Sequence, residues 1–85
     1  MGKEEPLLSI VIPVYKVEPY IEKCLESIYS QIDSLPVEVV IVNDGTPDNS
    51  MKVVQRFVNK QTLIINQENQ GLSVARNNGI AASHG

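Results

Sequence analysis

Residues 39–42, Val-Val-Ile-Val, are all apolar, and the chain passes straight from them into Asn43, Asp44 and Gly45. A short apolar run without alternation suits a strand covered on both faces, as in a parallel sheet. Such a strand needs helices on either side of it, and the flanking sequence supplies them. Leu7 to Val14, bounded by Pro6 and Pro13, is a second run of the same character. After it, "VEPYIEKCLESIYSQI" places Val17, Tyr20, Ile21, Cys24, Leu25, Ile28 and Ile32 on one helical stripe, with Glu22, Lys23 and Glu26 opposite. Pro19 suits the first turn, and "DSLP" ends the helix. On this stripe Cys24 is expected in the core.

The central strand is expected over Val37 to Val42. Thr46 then predicts a helix cap, with Pro47 at the first helical position and Asp48 adding favourable charge, in a helix running to Asn59. Met51, Val54, Phe57 and Val58 face inward in that reading. Leu63 to Asn66 predicts a third strand, polar "QENQG" a loop, and "LSVARNNGIAASH" a small-residue helix stopping at Gly85. The order β-α-β-α-β-α gives an α/β fold class: a partial doubly wound parallel sheet, Rossmann-like, with right-handed crossovers.

With 85 residues the chain is expected to form one segment, 1–85. A net charge of -3 and scattered basic residues argue against a nucleic-acid-binding surface. One cysteine excludes an internal disulfide or a cysteine-based zinc site. "LLSIVIPV" is far shorter than the roughly 20 residues of a membrane helix. The N-terminus does not read as a signal peptide, so the cytoplasm is the expected compartment.

Open α/β sheets bind ligands beyond the carboxyl ends of their strands. There the first strand delivers Tyr15 and Lys16, the second delivers Asp44, and the third leads into a helix carrying Arg76 one turn in. Tyr15 can stack on a planar base, Asp44 can accept a hydrogen bond from a base N–H, and Arg76 can face a diphosphate. No "GxxxxGK[ST]" or "GxGxxG" loop is present, so phosphates are not held in a glycine-rich cradle. Each residue also has a plainer reading: Asp44-Gly45 as a strand-to-helix turn, Tyr15 as packing, Arg76 as a solvated helix residue.

"SIVIPVYKVEPYIEKCLESI", "EVVIVNDGTPDNS" and "NQENQGLSVARNNGIAAS" together resemble, in order and spacing, the opening half of family 2 glycosyltransferases. The resemblance implies the nucleotide-binding half of a GT-A fold. It also implies transfer of a sugar from a nucleotide-sugar donor, most often a UDP-sugar, to a glycan acceptor with inversion. A role in cell-surface polysaccharide synthesis follows by analogy. Carried over by match, Tyr15 packs on the uracil, Asp44 bonds its ring N–H, Pro13 and Val14 shape the pocket mouth, and Arg76 lies beside the nucleotide or its diphosphate. No residue of this chain is expected to be catalytic or to bind metal. The other class considered is a non-catalytic α/β interaction or regulatory module resembling a response regulator, which would want several acidic residues at strand ends.

Three positions depart from the family pattern: Asn43 where a second Asp is usual, Lys16 where Asn is usual, and Thr46-Pro47 in place of Ser-Thr or Ser-Ser. In the family an Asp-x-Asp motif that holds Mn2+ or Mg2+ on the diphosphate follows the position of Gly85. The chain is therefore expected to be an N-terminal fragment, truncated before that motif and inactive alone. With the first strand mid-sheet in the family, its open edge over Leu7 to Val14 predicts a homodimer or swapped assembly.

Overall fold

The computed structural model describes residues 8–32 and 35–83. Leu7, the Asp33-Ser34 part of the expected helix stop, His84 and Gly85 lie outside the described residues. Three strands, β1 (Leu8–Val14), β2 (Val37–Asn43) and β3 (Thr62–Asn66), alternate with three helices, α1 (Glu18–Ile32), α2 (Ser50–Gln55) and α3 (Leu72–Ala82). The sheet is wholly parallel in the order β1-β2-β3, so the apolar run that demanded cover is indeed the central strand.

The period-two geometry of a strand divides its side chains between two layers. On one face, Val14, Val39 and Ile41 pack with Ile21, Leu25 and Ile32 of α1 and Val54 of α2. On the other, Val40 and Val42 pack with Ala75 of α3, flanked by Val11, Leu63 and Ile65. Val39 to Val42 are all fully buried, as both-face cover requires. Two helices on one face and one on the other make this a doubly wound half-fold. The outer edge of β1 pairs with no strand among the described residues.

α3 reaches its face of the sheet through small residues. Ala75 and Gly79, one turn apart, are buried positions of the helix. A Cβ on Gly79 would lie 2.4 Å from Val11 Cγ1 and 3.0 Å from Val42 Cγ2.

Several expectations are corrected. Cys24 is exposed, not core, and Tyr20 is 72% exposed; the buried stripe of α1 is narrower, running through Ile21, Leu25 and Ile32. The reason is that α1 packs against a flat sheet and the short α2, which leaves its flanks in water. Val58 is likewise exposed, because α2 ends at Gln55 rather than reaching Asn59. Helix α2 also starts later than expected, at Ser50, with Asn49 rather than Thr46 as its cap residue. Thr46 is diverted to another task.

Candidate functional site

The carboxyl ends of the strands carry two clamps, both made by the stretch "NDGTPDNS", residues 43–50. The first holds the start of α1. Val17 caps that helix with its carbonyl, which accepts from Tyr20 and Ile21 N–H, but its side chain offers no acceptor to the free amides there. The β2–α2 loop supplies them instead. Lys16 N–H donates to Thr46 Oγ1 (2.8 Å), Val17 N–H to Ser50 Oγ (3.2 Å) and Glu18 N–H to Asp48 Oδ2 (3.3 Å). Thr46 Oγ1 in turn donates to Asp48 Oδ1 at 2.7 Å, which also accepts Ser50 N–H at 3.0 Å. Glu18 Oε1 returns the exchange by accepting Asn49 N–H at 3.1 Å. The Ser50 side chain, then the Thr46 hydroxyl, hold the Asp48 carboxyl down at about 2 against the opposing effect of burial.

The second clamp answers why a carboxylate follows a buried strand. Asp44 is fully buried, its N–H donating to Val14 O at 3.0 Å. Its Oδ1 accepts from Gln67 Nε2 (2.7 Å) and Gln70 N–H (2.8 Å); its Oδ2 accepts from Asn69 Nδ2 (3.2 Å) and Gly71 N–H (3.0 Å). A carboxylate has about four acceptor sites, and here the 67–71 loop fills them all. The Gln70 N–H above all holds the Asp44 carboxyl below the ordinary aspartate range, with burial opposing it and Gln67 and Gly71 adding to it. Asn78 Nδ2 donates to Gln67 Oε1 at 2.6 Å, so the chain of contacts runs from α3 through the loop to the end of β2. Gly71, the residue before α3, has no side chain to cap that helix; the charge favoured near its positive end comes from Asp44 instead.

The turn between the clamps depends on Gly45. Its φ of 69° lies in the left-handed region, and a Cβ there would meet Asn69 N at 2.9 Å. The departure at Asn43 has a partner opposite it: Asn43 Nδ2 donates to Asn66 Oδ1 at 3.0 Å across the parallel register, and its Oδ1 accepts Thr46 N–H at 3.1 Å. At Thr46 the departure keeps the hydroxyl that the first clamp uses.

The remaining residues singled out from the sequence are placed as follows. Tyr15 is half-buried at the end of β1, with the Lys16 ammonium 5.3 Å from its ring centroid. Val14 points into the α1 and α2 layer, so what it offers this end of the sheet is its carbonyl. Pro13 is half-buried, on the α3 face by strand alternation. Arg76 is exposed in the second turn of α3 and forms no ion pair among the described residues. The sequence assigns Thr46 and Asp48 only to a helix start, and gives Gln67 and Asn69 no role of their own. The only trace of the latter two is the density of amide side chains in "NQENQ", which takes on meaning once the loop is folded over Asp44.

Among the described residues no group of three His, Cys, Asp or Glu side chains could hold a metal ion. Asp44 and Asp48 accept N–H and O–H donors throughout, so this donor set does not fit a divalent cation.

The profile of the family described as "Glycosyl transferase family 2" matches residues 9–85. The chain belongs to that family. It is 46% identical over 82 residues to the uncharacterized glycosyltransferase EpsJ of Bacillus subtilis, covering 94% of this chain and 24% of that protein. It is 44% identical over 75 residues to glycosyltransferase GlyA of Streptococcus pneumoniae, covering 86% of this chain and 11% of the relative. Among solved structures, the mannosyltransferase PcManGT of Pyrobaculum calidifontis, in complex with GDP-Man and Mn2+, superposes with a TM-score of 0.79 at 25% identity. That match covers 95% of this chain and 25% of the mannosyltransferase. The α/β architecture thus matches the Rossmann-like half of a GT-A glycosyltransferase, and the chain spans about a quarter of the length of EpsJ and of the mannosyltransferase and about a tenth of GlyA. No helix among the described residues is long and apolar enough to cross a membrane.

Proposed function

We propose that this chain forms the nucleoside-binding half of the donor site of an inverting glycosyltransferase that moves a sugar from a UDP-sugar to a glycan acceptor. The observation that carries the reading is the stapled carboxyl end of the sheet within a family 2 chain: the Asp44 N–H holds the carbonyl of Val14, just before Tyr15, and the Asp44 carboxylate holds the 67–71 loop. In this reading Tyr15 packs on the base, and Pro13 with the Val14 backbone borders the pocket mouth. The Asp44 carboxylate takes the base N–H in exchange for one side-chain amide, from Gln67 or Asn69, while the Gln70 and Gly71 backbone donors stay. Arg76 lies beside the diphosphate. The charge on a departing diphosphate needs a metal or cationic clamp, and Mn2+ or Mg2+ is held by residues other than these 85. The chain alone therefore transfers no sugar.

Titration of the chain with UDP, GDP and ADP, followed by calorimetry or amide NMR, tests this. UDP is expected to bind most tightly and to shift the amides of Tyr15 and residues 67–71. Equal binding of all three nucleotides would remove uracil from the reading, and sugar transfer by the chain alone would remove its incompetence.

The open edge of β1 is a second element of the proposal. A strand edge that pairs with no strand among the described residues invites pairing with another, and Leu8 at its start is 56% exposed. The chain is expected to self-associate through it, with sedimentation showing a dimer at high concentration. A monomer at every concentration tested would rule this out.

A further inference from the structure

Lys16 is the non-glycine residue with a left-handed backbone among the described residues, at φ 56°. Lysine gains nothing there; asparagine and glycine tolerate that conformation far better. A residue held in an unfavourable conformation by its surroundings is a pointer to function. The surroundings here are explicit: Thr46 Oγ1 accepts the Lys16 N–H at 2.8 Å and is itself fixed by Asp48. Val17 and Glu18 N–H are locked by Ser50 and Asp48 in the same way. The backbone at Lys16 is thus set by the first clamp, and it sends the side chain back over Tyr15, where the ammonium lies 5.3 Å from the ring centroid. That is within reach of a cation–π contact, a weak one at an exposed site.

The charge is otherwise unspent. Lys16 forms no ion pair among the described residues. The neighbouring carboxylates are engaged elsewhere, Asp48 by Thr46, Ser50 and Glu18, and Glu18 by Asn49 N–H. The Lys16 ammonium therefore rests on the aromatic ring assigned to a base, at the end of the sheet assigned to a nucleotide.

We propose that Lys16 is a specificity-determining residue for the diphosphate of a nucleoside diphosphate ligand. Its ammonium rests on the Tyr15 ring in the free chain and moves to the diphosphate when a base takes the ring. This rests on the donor-site reading above. It also accounts for a strained lysine at this position: the left-handed turn and the clamp hold the stem beside the ring, and the flexible end carries the charge to the ligand. A compact ammonium on a four-carbon stem suits this better than a fixed fork of donors.

The test compares UDP with uridine on the same 85-residue chain, for the wild type and for Lys16→Gln, Lys16→Asn and Lys16→Arg. Lys16→Gln removes the charge and keeps a side chain of similar length. It is expected to weaken UDP about 10-fold, the scale of one hydrogen bond to a charged group. Uridine, which has no phosphate, binds it as well as the wild type or better. Lys16→Asn shows the same loss of UDP binding with a rise in thermal midpoint, because asparagine accepts the left-handed backbone. Lys16→Arg retains most of the UDP affinity. Raising the ionic strength narrows the gap between the wild type and Lys16→Gln. Equal loss of UDP and uridine, or no loss of either, overturns the proposal while leaving the donor site standing. A wild-type chain that binds neither ligand overturns the donor-site reading, and this proposal with it.

Discussion

Replacing Asp44 with alanine is expected to lower the thermal midpoint by roughly 10 °C, since it removes the acceptor of several buried donors at once. The Gln70 and Gly71 N–H groups and the Gln67 amide lose their carboxylate acceptor, while the Asn69 amide keeps only its bond to the residue 44 carbonyl. The sharper variant is Asp44→Asn. It keeps the shape but turns one acceptor oxygen into an NH2 group. Whichever way that amide faces, the NH2 meets a backbone N–H: Gln70 on one side, Gly71 on the other. The isosteric change is therefore expected to approach the alanine change in severity. A simple turn carboxylate would tolerate it. Amide exchange supplies the local readout, with Gln70 and Gly71 protected in the wild type and unprotected in both variants. Unaltered protection in Asp44→Asn would show that the staple is not what orders the loop.

The same carboxylate sets a pH dependence whose sign is fixed. Asp44 and Asp48 both have folded-state values below the unfolded 3.8, about 2 in the case of Asp48. Their contribution to stability is complete above the unfolded value and is lost as pH falls through each folded one. Denaturation midpoints are thus expected to hold steady above about pH 4 and to fall towards pH 2, with a shallower fall in Asp44→Asn.

Gly79→Ala is the second large effect, and its sign is what makes it informative. At an exposed helical site, glycine to alanine stabilises by about 1 kcal/mol. Here the new methyl would stand 2.4 Å from Val11 Cγ1 and 3.0 Å from Val42 Cγ2. Both neighbours are β-branched strand residues with stiff side chains, Val42 fully buried and Val11 partly so. Either α3 lifts from the sheet or the strands move, and overpacking of this kind costs about 1–3 kcal/mol. A net loss is expected, read as a shift in the urea midpoint. The double variant Val11→Ala/Gly79→Ala should be more stable than the two single losses would sum to, because the first truncation makes space for the second methyl. A gain in stability from Gly79→Ala alone would mean that α3 does not press on β1 and β2 as described.

How much of this was legible beforehand follows from the range of each interaction. The unbroken apolar run of β2 announced cover on both faces, and local periodicity then gave the order of strands and helices, though not the bounds of α2. Asp44 and Tyr15 could be located at the carboxyl end of the sheet for the same reason: strand ends follow from the chain alone. The misjudged features all depend on what lies across space. Cys24 belongs to the apolar stripe by spacing, yet the width of the buried face is set by the sheet and by α2. Thr46 and Asp48 have the chemistry of helix caps, but they satisfy amides at the entry to α1, Lys16 for Thr46 and Glu18 for Asp48, some 30 residues earlier.

The sequence by itself determined the order of elements, the parallel sheet and which residues reach the carboxyl ends of its strands, because hydrophobic periodicity and turn chemistry act over a few neighbouring positions. Only the tertiary structure decided that the Asp44 carboxylate is filled by residues 67–71, that Lys16 is held left-handed over Tyr15, and that Gly79 must lack a side chain. Those facts depend on directions and distances between segments far apart in the chain, which no local pattern encodes.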